Sequence, residues 1–199
     1  MIDFSASPVT VAPQLLGATL RRVTPDGIVA VTLTEVEAYP GAGDPASHTF
    51  NGPTPRCLTM FGPPGHLYVY ASYGIHRAGN LVCQAEGTGA GVLMRAGRVV
   101  EGMDLVRQRR GPGPTEDGLA RGPGNLGAAL GLDLALDGSV VSQDGAGADG
   151  FHLSAPASPV DWVAGPRIGI SKNRDAPLRF WIPGDRTVTS PRRRPRLPD

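Results

Sequence analysis

The apolar positions of the chain change period several times, and each change predicts an element. Residues 10–20, TVAPQLLGATL, read as a short amphipathic helix with Thr10 at its N-cap and Pro13 in its first turn. Residues 27–39, GIVAVTLTEVEAY, are rich in β-branched side chains and alternate, which predicts a strand. The Gly/Pro-rich stretch from Pro40 to Pro55 follows neither period. HLYVYA at 66–71 predicts a second strand, and Ser72-Tyr73-Gly74-Ile75 a tight turn in which Gly74 supplies a positive φ. Residues 79–85 then return as the second arm of a hairpin. Beyond it, GVLMRA at 91–96 predicts a strand and 100–110 a helix ending in Arg107, Arg109 and Arg110. Gly-Pro-Gly-Asn at 122–125 opens a helix running to Leu130. Residues 142–159 read as a loop, and 166–171 and 178–182 as late strands. The expected fold is mixed α/β (α+β): a single domain over 1–189, with a curved, largely antiparallel sheet, surrounding helices and a protruding β-hairpin. The Arg/Pro-rich tail at 190–199 is expected to be disordered.

Alternation along 27–39 puts Val29, Val31, Leu33, Glu35, Glu37 and Tyr39 on one face. An apolar face therefore runs directly into two carboxylates and a phenol. Burying an unpaired carboxylate costs on the order of several kcal/mol, so acids on the core side imply partners or a pocket. The alternative is a strand that twists outward and leaves both glutamates in solvent. A carboxylate at such a border suits a general base, because partial burial moves its pKa toward neutrality.

The strand at 66–71 sets His66, Tyr68 and Tyr70 opposite Leu67, Val69 and Ala71. The plain reading is a second core layer whose hydroxyls reach solvent. Tyr73, beside the turn glycine, also suits a wedge between stacked bases. Glu35, Glu37, Asp44 and His48 can be drawn as an oxygen-rich metal site, although no HExxH or DxDxDG spacing supports it. His48 equally suits stacking on a bound ring. Arg95 closes the apolar run VLMR, either as a strand-end cation or as a buried partner for a carboxylate.

Composition narrows these readings. The 199 residues carry a net charge of +1, which excludes a binder working by bulk charge and leaves only local patches. Of 19 basic residues only Lys172 is a lysine, which limits mechanisms that need an amine nucleophile. Two cysteines, Cys57 and Cys83, fit neither a disulfide framework nor a cysteine-rich zinc site. The start, MIDFSASPVTVAP, has no basic region leading into an apolar one, and no apolar run approaches the ~18–20 residues of a membrane helix. A cytoplasmic protein is expected.

Taken together, the segments resemble the alkyladenine (3-methyladenine) DNA glycosylase family, monofunctional purine glycosylases of base-excision repair. The resemblance rests on EVEAY at 35–39, GDPASH at 43–48, TPR at 54–56, MF at 60–61 and LYVY..YG at 67–74. It continues through Asn80, VLMRA at 92–96, EG at 101–102, GPGNL at 122–126, RIGI at 167–170 and PLRF at 177–180. These keep the family's order and spacing from about residue 10 to 188.

The resemblance implies a role for each matching position. Glu37 matches the general base that activates water, and Arg95 and the carbonyl of Ile170 the groups that hold that water. Tyr39, His48 and Tyr70 match the rings around the flipped base, and Asn80 the side chain that crowds the two-amino group of guanine. Tyr73 matches the residue pushed into the minor groove, with His76 and Arg77 beside it. Gly122, Gly124 and Asn125, at the GPGNL helix start, resemble a DNA-backbone contact, as helix N-termini suit phosphates. Ala78 and Gly79 are smaller than in vertebrate members, which implies a roomier pocket floor. The implied partner is double-stranded DNA carrying a damaged purine, met from the minor-groove side by a monomer in a bacterial nucleoid, with no metal and no cofactor. Arg107, Arg109, Arg110, Arg121, Arg192, Arg193, Arg194 and Arg196 are further candidates for a phosphate-binding surface, the last four in the tail. A metal-dependent hydrolase on Glu35, Glu37, Asp44 and His48 and a non-catalytic damage-binding protein using Tyr73 stand as alternatives.

Overall fold

The computed structural model describes residues 1–72, 74–144 and 149–190. Ser7 opens the first helix, α1 (Pro8–Leu15): its hydroxyl accepts from the Thr10 amide, and Pro8 occupies the first turn. The N-cap is thus Ser7 rather than Thr10. The helix also stops at Leu15, because the extended Leu16 and the left-handed Gly17 (φ 79°) turn the chain into β1 (Thr19–Thr24). Pro25 and Asp26 form the two-residue connection to β2 (Gly27–Tyr39), with Thr24 paired to Gly27.

After β2 the chain runs without regular structure to a short 3-10 turn at Leu58–Phe61, then through β3 (Leu67–Ser72) and β4 (His76–Cys83). These two pair antiparallel from Leu67↔Leu81 to Ser72↔His76, and Gly74 between them has φ 73°. β5 (Ala90–Glu101) is longer than its sequence signal and takes the first residues of the helix expected at 100–110. Gly102, at φ 78°, ends it and begins α2 (Met103–Arg110). α3 (Pro123–Leu130) begins at Pro123 and ends at the left-handed Gly131. The loop expected at 142–159 holds two strands, β6 (Val141–Ser142) and β7 (Gly150–Ser154), which pair parallel. β8 (Val163–Gly165) and β9 (Arg179–Trp181) complete the sheet.

The strand order is β3-β4-β5-β2-β1-β7-β6, mostly antiparallel, with β9 joined to the second half of β2 and β8 to β9. Residues 166–171, expected as a strand, form none. Pro166 has no amide to give, Gly169 is left-handed (φ 83°), and the Ile168 amide bonds to a side chain instead of a ladder. The tail at 191–199 lies outside the described residues.

The main core lies on one face of the sheet. Val11, Ala12 and Leu15 of α1, Val106 of α2, and Leu126, Ala129 and Leu130 of α3 pack against strand residues there. Along β2 those are Val29, Val31 and Leu33, and then Val36 and Ala38. The parity changes because the β2–β5 register slips twice in succession. Leu33 faces Gly97, Glu35 faces Ala96 and Val36 faces Met94, so Thr34 on β2 and Arg95 on β5 each lack an opposite residue. Uninterrupted alternation had put Glu35, Glu37 and Tyr39 on the face of the valines. The paired bulges place them on the opposite face, with Leu93 and Arg95 of β5.

Candidate active site

Four short segments meet on that second face: the end of β2, Arg95 from β5, the loop 166–170, and the aromatic face of β3. Glu35 and Glu37 are both fully buried. Neither strays into solvent, and each is held by cationic or backbone donors. Glu37 Oε1 accepts from the Ile168 amide at 2.8 Å and lies 3.2 Å from Arg95 Nη1, while its Oε2 accepts from the Tyr39 hydroxyl at 2.9 Å. An ionised carboxylate offers about four acceptor positions, so three donors leave one, on Oε2. Arg95 is a buried partner rather than a strand-end cation, with its Nε 2.9 Å from Glu35 Oε1. Burial opposes its charge, but Glu37 and Glu35 outweigh that and raise its pKa further.

Tyr39 is held from both ends. Burial first, then the Glu37 charge and hydrogen bond, push its phenol pKa well above the ordinary value. The guanidinium carbon of Arg167 stands 4.5 Å from its ring centroid. Arg167 also grips Asp44 with two bonds, 2.5 and 2.8 Å, and donates to the Ala38 carbonyl at 3.0 Å. Asn173 adds a bond to Asp44 at 2.9 Å. Burial would raise the Asp44 pKa, but Arg167, Asn173 and the Ala46 amide prevail and hold it below the usual carboxylate value.

The loop that follows Asp44 carries His48 to the aromatic face. Its ring meets Tyr70 edge-on at 4.7 Å between centroids, and its Nδ1 lies 3.3 Å from the Tyr68 hydroxyl. Tyr68 and Tyr70 stack at 5.5 Å. Burial, with the Arg56 charge second, holds the His48 pKa below its ordinary value, which favours a neutral ring. Tyr68, Cys57, Met60 and Val82 form a small second core beneath these rings, with Tyr70 packed against it. Asn80 is buried beside them and donates to the Tyr68 carbonyl at 3.5 Å.

Of the two small residues before Asn80, Gly79 lies elsewhere than expected. A Cβ on Gly79 would meet Leu132 at 2.9 Å and Met94 at 3.0 Å, so that position faces the core and cannot enlarge a pocket on the other side. Ala78, which pairs with Tyr70, shares the face of Asn80.

His76 and Arg77 come together with the start of α3. A Cβ on Gly124 would lie 2.7 Å from the His76 ring, and one on Gly127 only 1.9 Å from the Arg77 carbonyl oxygen. The Asn125 side-chain amide nitrogen donates to the Arg121 carbonyl at 2.7 Å, and Gly122 has φ 94° with an extended ψ of 149°. Tyr73 lies outside the described residues. Ile170 is half-buried in the loop that supplies the Ile168 amide, and Lys172 is exposed.

Of the arginines expected at phosphates, each described one donates to a backbone carbonyl, Arg107 to that of Pro114, Arg109 to that of Ala129, Arg110 to that of Leu119 and Arg121 to that of Arg186, and the four of the tail lie outside the described residues. Glu35, Glu37, Asp44 and His48 do not form a metal-ligand set. The carboxylates are directed at Arg95, Arg179 and Arg167, and among the described residues no group of three metal-ligating side chains occurs. No helix among the described residues is long and apolar enough to cross a membrane.

Sequence reasoning missed Arg167, Arg179, Thr189 and the Ile168 amide. The unpaired acids were a signal for them: three buried carboxylates, Glu35, Glu37 and Asp44, require donors, and Arg167 and Arg179 are arginines within apolar late segments.

The chain is similar to "Putative 3-methyladenine DNA glycosylase" of Corynebacterium jeikeium, 62% identical over 97% of this chain and 92% of that protein. The same name is borne by a Cutibacterium acnes protein, 53% identical over 96% of this chain and 100% of its own length. A third, from Frankia casuarinae, is 48% identical over 98% and 95%. The model of the methylpurine-DNA glycosylase family matches residues 2–186. With these matches spanning both the carboxylate cluster and the aromatic face, the chain belongs to the methylpurine-DNA glycosylase family, DNA glycosylases that hydrolyse N-glycosyl bonds.

Proposed function

We propose that this protein flips damaged purines of the 3-methyladenine, 7-methylguanine, hypoxanthine and ethenoadenine class out of duplex DNA and releases them with a Glu37-activated water. The observation that carries the reading is the donor set of Glu37. Arg95, the Ile168 amide and the Tyr39 hydroxyl fix the carboxylate and leave one acceptor position on Oε2. A water bound there, also held by the Ile170 carbonyl, attacks the sugar carbon as the base departs, and Glu37 takes its proton. The carboxylate stabilises the positive charge that builds on the sugar, as in other glycosidic hydrolyses.

Tyr39 on one side and His48 and Tyr70 on the other enclose the extruded base, and Asn80 excludes guanine by crowding its amino group. Damaged bases cost least to extrude, which itself supplies selectivity. Tyr73 fills the gap from the minor-groove side, with His76 and Arg77 next to the α3 start to meet the backbone. The enzyme acts as a monomer on nucleoid DNA.

Single-turnover base release from duplexes carrying hypoxanthine or 3-methyladenine, with EDTA present, tests this. Release is expected from the wild type and a drop of roughly 10²-fold or more in Glu37→Gln. Tight lesion binding without release would establish a damage-binding protein instead. Release that survives the substitution would remove Glu37 as the base.

A further inference from the structure

We propose that Thr189 and Glu35 are positioning residues that hold Arg95 in the orientation the Glu37 chemistry needs, so that the C-terminal segment completes the site. The inference rests on the glycosylase reading above, and the family match ends at residue 186, short of Thr189.

Glu35 accepts four hydrogen bonds, as many as Asp44 does. It accepts from Arg95 Nε at 2.9 Å, from Arg179 Nε at 2.6 Å, and from both the amide and the hydroxyl of Thr189 at 2.6 Å. The Thr189 hydroxyl gives its proton to Glu35 and accepts from Arg95 Nη2 at 3.4 Å, while the Thr189 carbonyl accepts from Arg179 Nη2 at 2.6 Å. The three nitrogens of the Arg95 guanidinium thus point to Glu35, Glu37 and Thr189, one each.

That division matters because a guanidinium and a carboxylate otherwise pair side by side through two parallel bonds. Such a pair between Arg95 and Glu37 would occupy the Oε2 position reserved for water. Glu35 and Thr189 keep two of the three nitrogens engaged elsewhere, so Arg95 touches Glu37 through Nη1 alone.

The segment bearing Thr189 is fastened for this task. Ile182 donates to the Thr34 carbonyl at 3.0 Å, the Thr187 and Thr34 hydroxyls are 2.6 Å apart, and Asp185 accepts from the Thr187 amide at 2.9 Å. Thr34 is the unpaired residue of the β2 bulge, as Arg95 is that of β5, so the segment is pinned where the two strands part. A Cβ on Gly122 would lie 3.8 Å from Thr189 Cγ2, which also places this residue at the start of α3.

The test uses full-length Thr189→Val and Thr189→Ser, with the maximal single-turnover rate and the half-saturating duplex concentration measured separately alongside thermal melting. Thr189→Ala repeats the test without apolar bulk facing the arginines. The valine and alanine variants are expected to lose about ten- to a hundredfold in rate with half-saturation unchanged, because misplacement of about 1 Å can cost that much. The serine variant is expected to recover the wild-type rate. Wild-type rates in the valine and alanine variants, a loss shared by the serine variant, or rate and affinity falling in equal proportion would each overturn the proposal. A wild type that releases no base at all would instead count against the glycosylase reading.

Discussion

Arg167 holds Asp44 through two nitrogens and stands 4.5 Å from the ring centroid of Tyr39, so one buried side chain ties the loop of His48 to the strand of Glu37. The next residue, Ile168, gives its amide to Glu37. The aromatic wall and the carboxylate are therefore tied together through two adjacent residues, Arg167 and Ile168. Removing the cation leaves Asp44 buried with only Asn173 and the Ala46 amide. Arg167→Leu is expected to lose about 3 kcal/mol of stability, the usual cost of breaking a buried pair from one side. Urea denaturation measures it, and a loss below about 1 kcal/mol would make the pair a bystander.

The same pair makes an acid-sensitive element. The folded Asp44 pKa lies below its ordinary value, so in acid the unfolded chain takes up the proton first. Its stabilisation is complete above the unfolded pKa of about 3.9 and is lost as pH falls through that value toward the folded one. Asp44→Asn is expected to flatten the fall of stability below about pH 5 relative to wild type. Parallel curves for the two proteins would refute the assignment.

Tyr39→Phe removes the donor to Glu37 Oε2 and little else. Base release is expected to slow about tenfold, the scale of one hydrogen bond to a charged group. Because burial and Glu37 hold the phenol well above its usual pKa, the hydroxyl remains a donor up to at least about pH 10. A wild-type pH–rate profile with an alkaline limb below that value, absent from the Phe variant, would contradict this.

Gly127→Ala places a methyl group 1.9 Å from the Arg77 carbonyl oxygen, where backbone has to move. The substitution is expected to cost about 3 kcal/mol and to weaken duplex binding, since α3 is displaced from His76 and Arg77. Equal melting temperatures would show that helix and strand separate freely.

Cys83 is buried, and burial pushes its thiol pKa up to about 12. No labelling of Cys83 by a disulfide reagent at pH 8 is expected until the protein unfolds. Mass mapping of a labelled native protein decides it.

Much of this was legible along the chain. The bounds of β2, Gly27–Tyr39, follow from its β-branched alternation, and α3 from Pro123 at its start. The aromatic face of β3 follows from simple period two. The side on which Glu35 and Glu37 lie was not read correctly, because a bulge is set by pairing with another strand and its one trace in β2, the shift of apolar positions from Val29, Val31 and Leu33 to Val36 and Ala38, is short. β1 was overlooked although Thr24-Pro25-Asp26-Gly27 is a turn signal, since the preceding apolar residues were absorbed into a helix. Arg167, Arg179 and Thr189 were illegible for another reason: the carboxylates they hold lie more than 120 residues away along the chain.

The paired bulges carry a consequence for inheritance. Thr34 and Arg95 are extra residues in facing strands, and each compensates for the other, so that Leu33↔Gly97 and Val36↔Met94 keep one common register. Loss of a residue from one strand alone would slide every pair beyond it by one and invert the rest of the strand. Insertions and deletions at these two places can therefore be passed on only together, and the site is specified by matched chain length as well as by the side chains it displays.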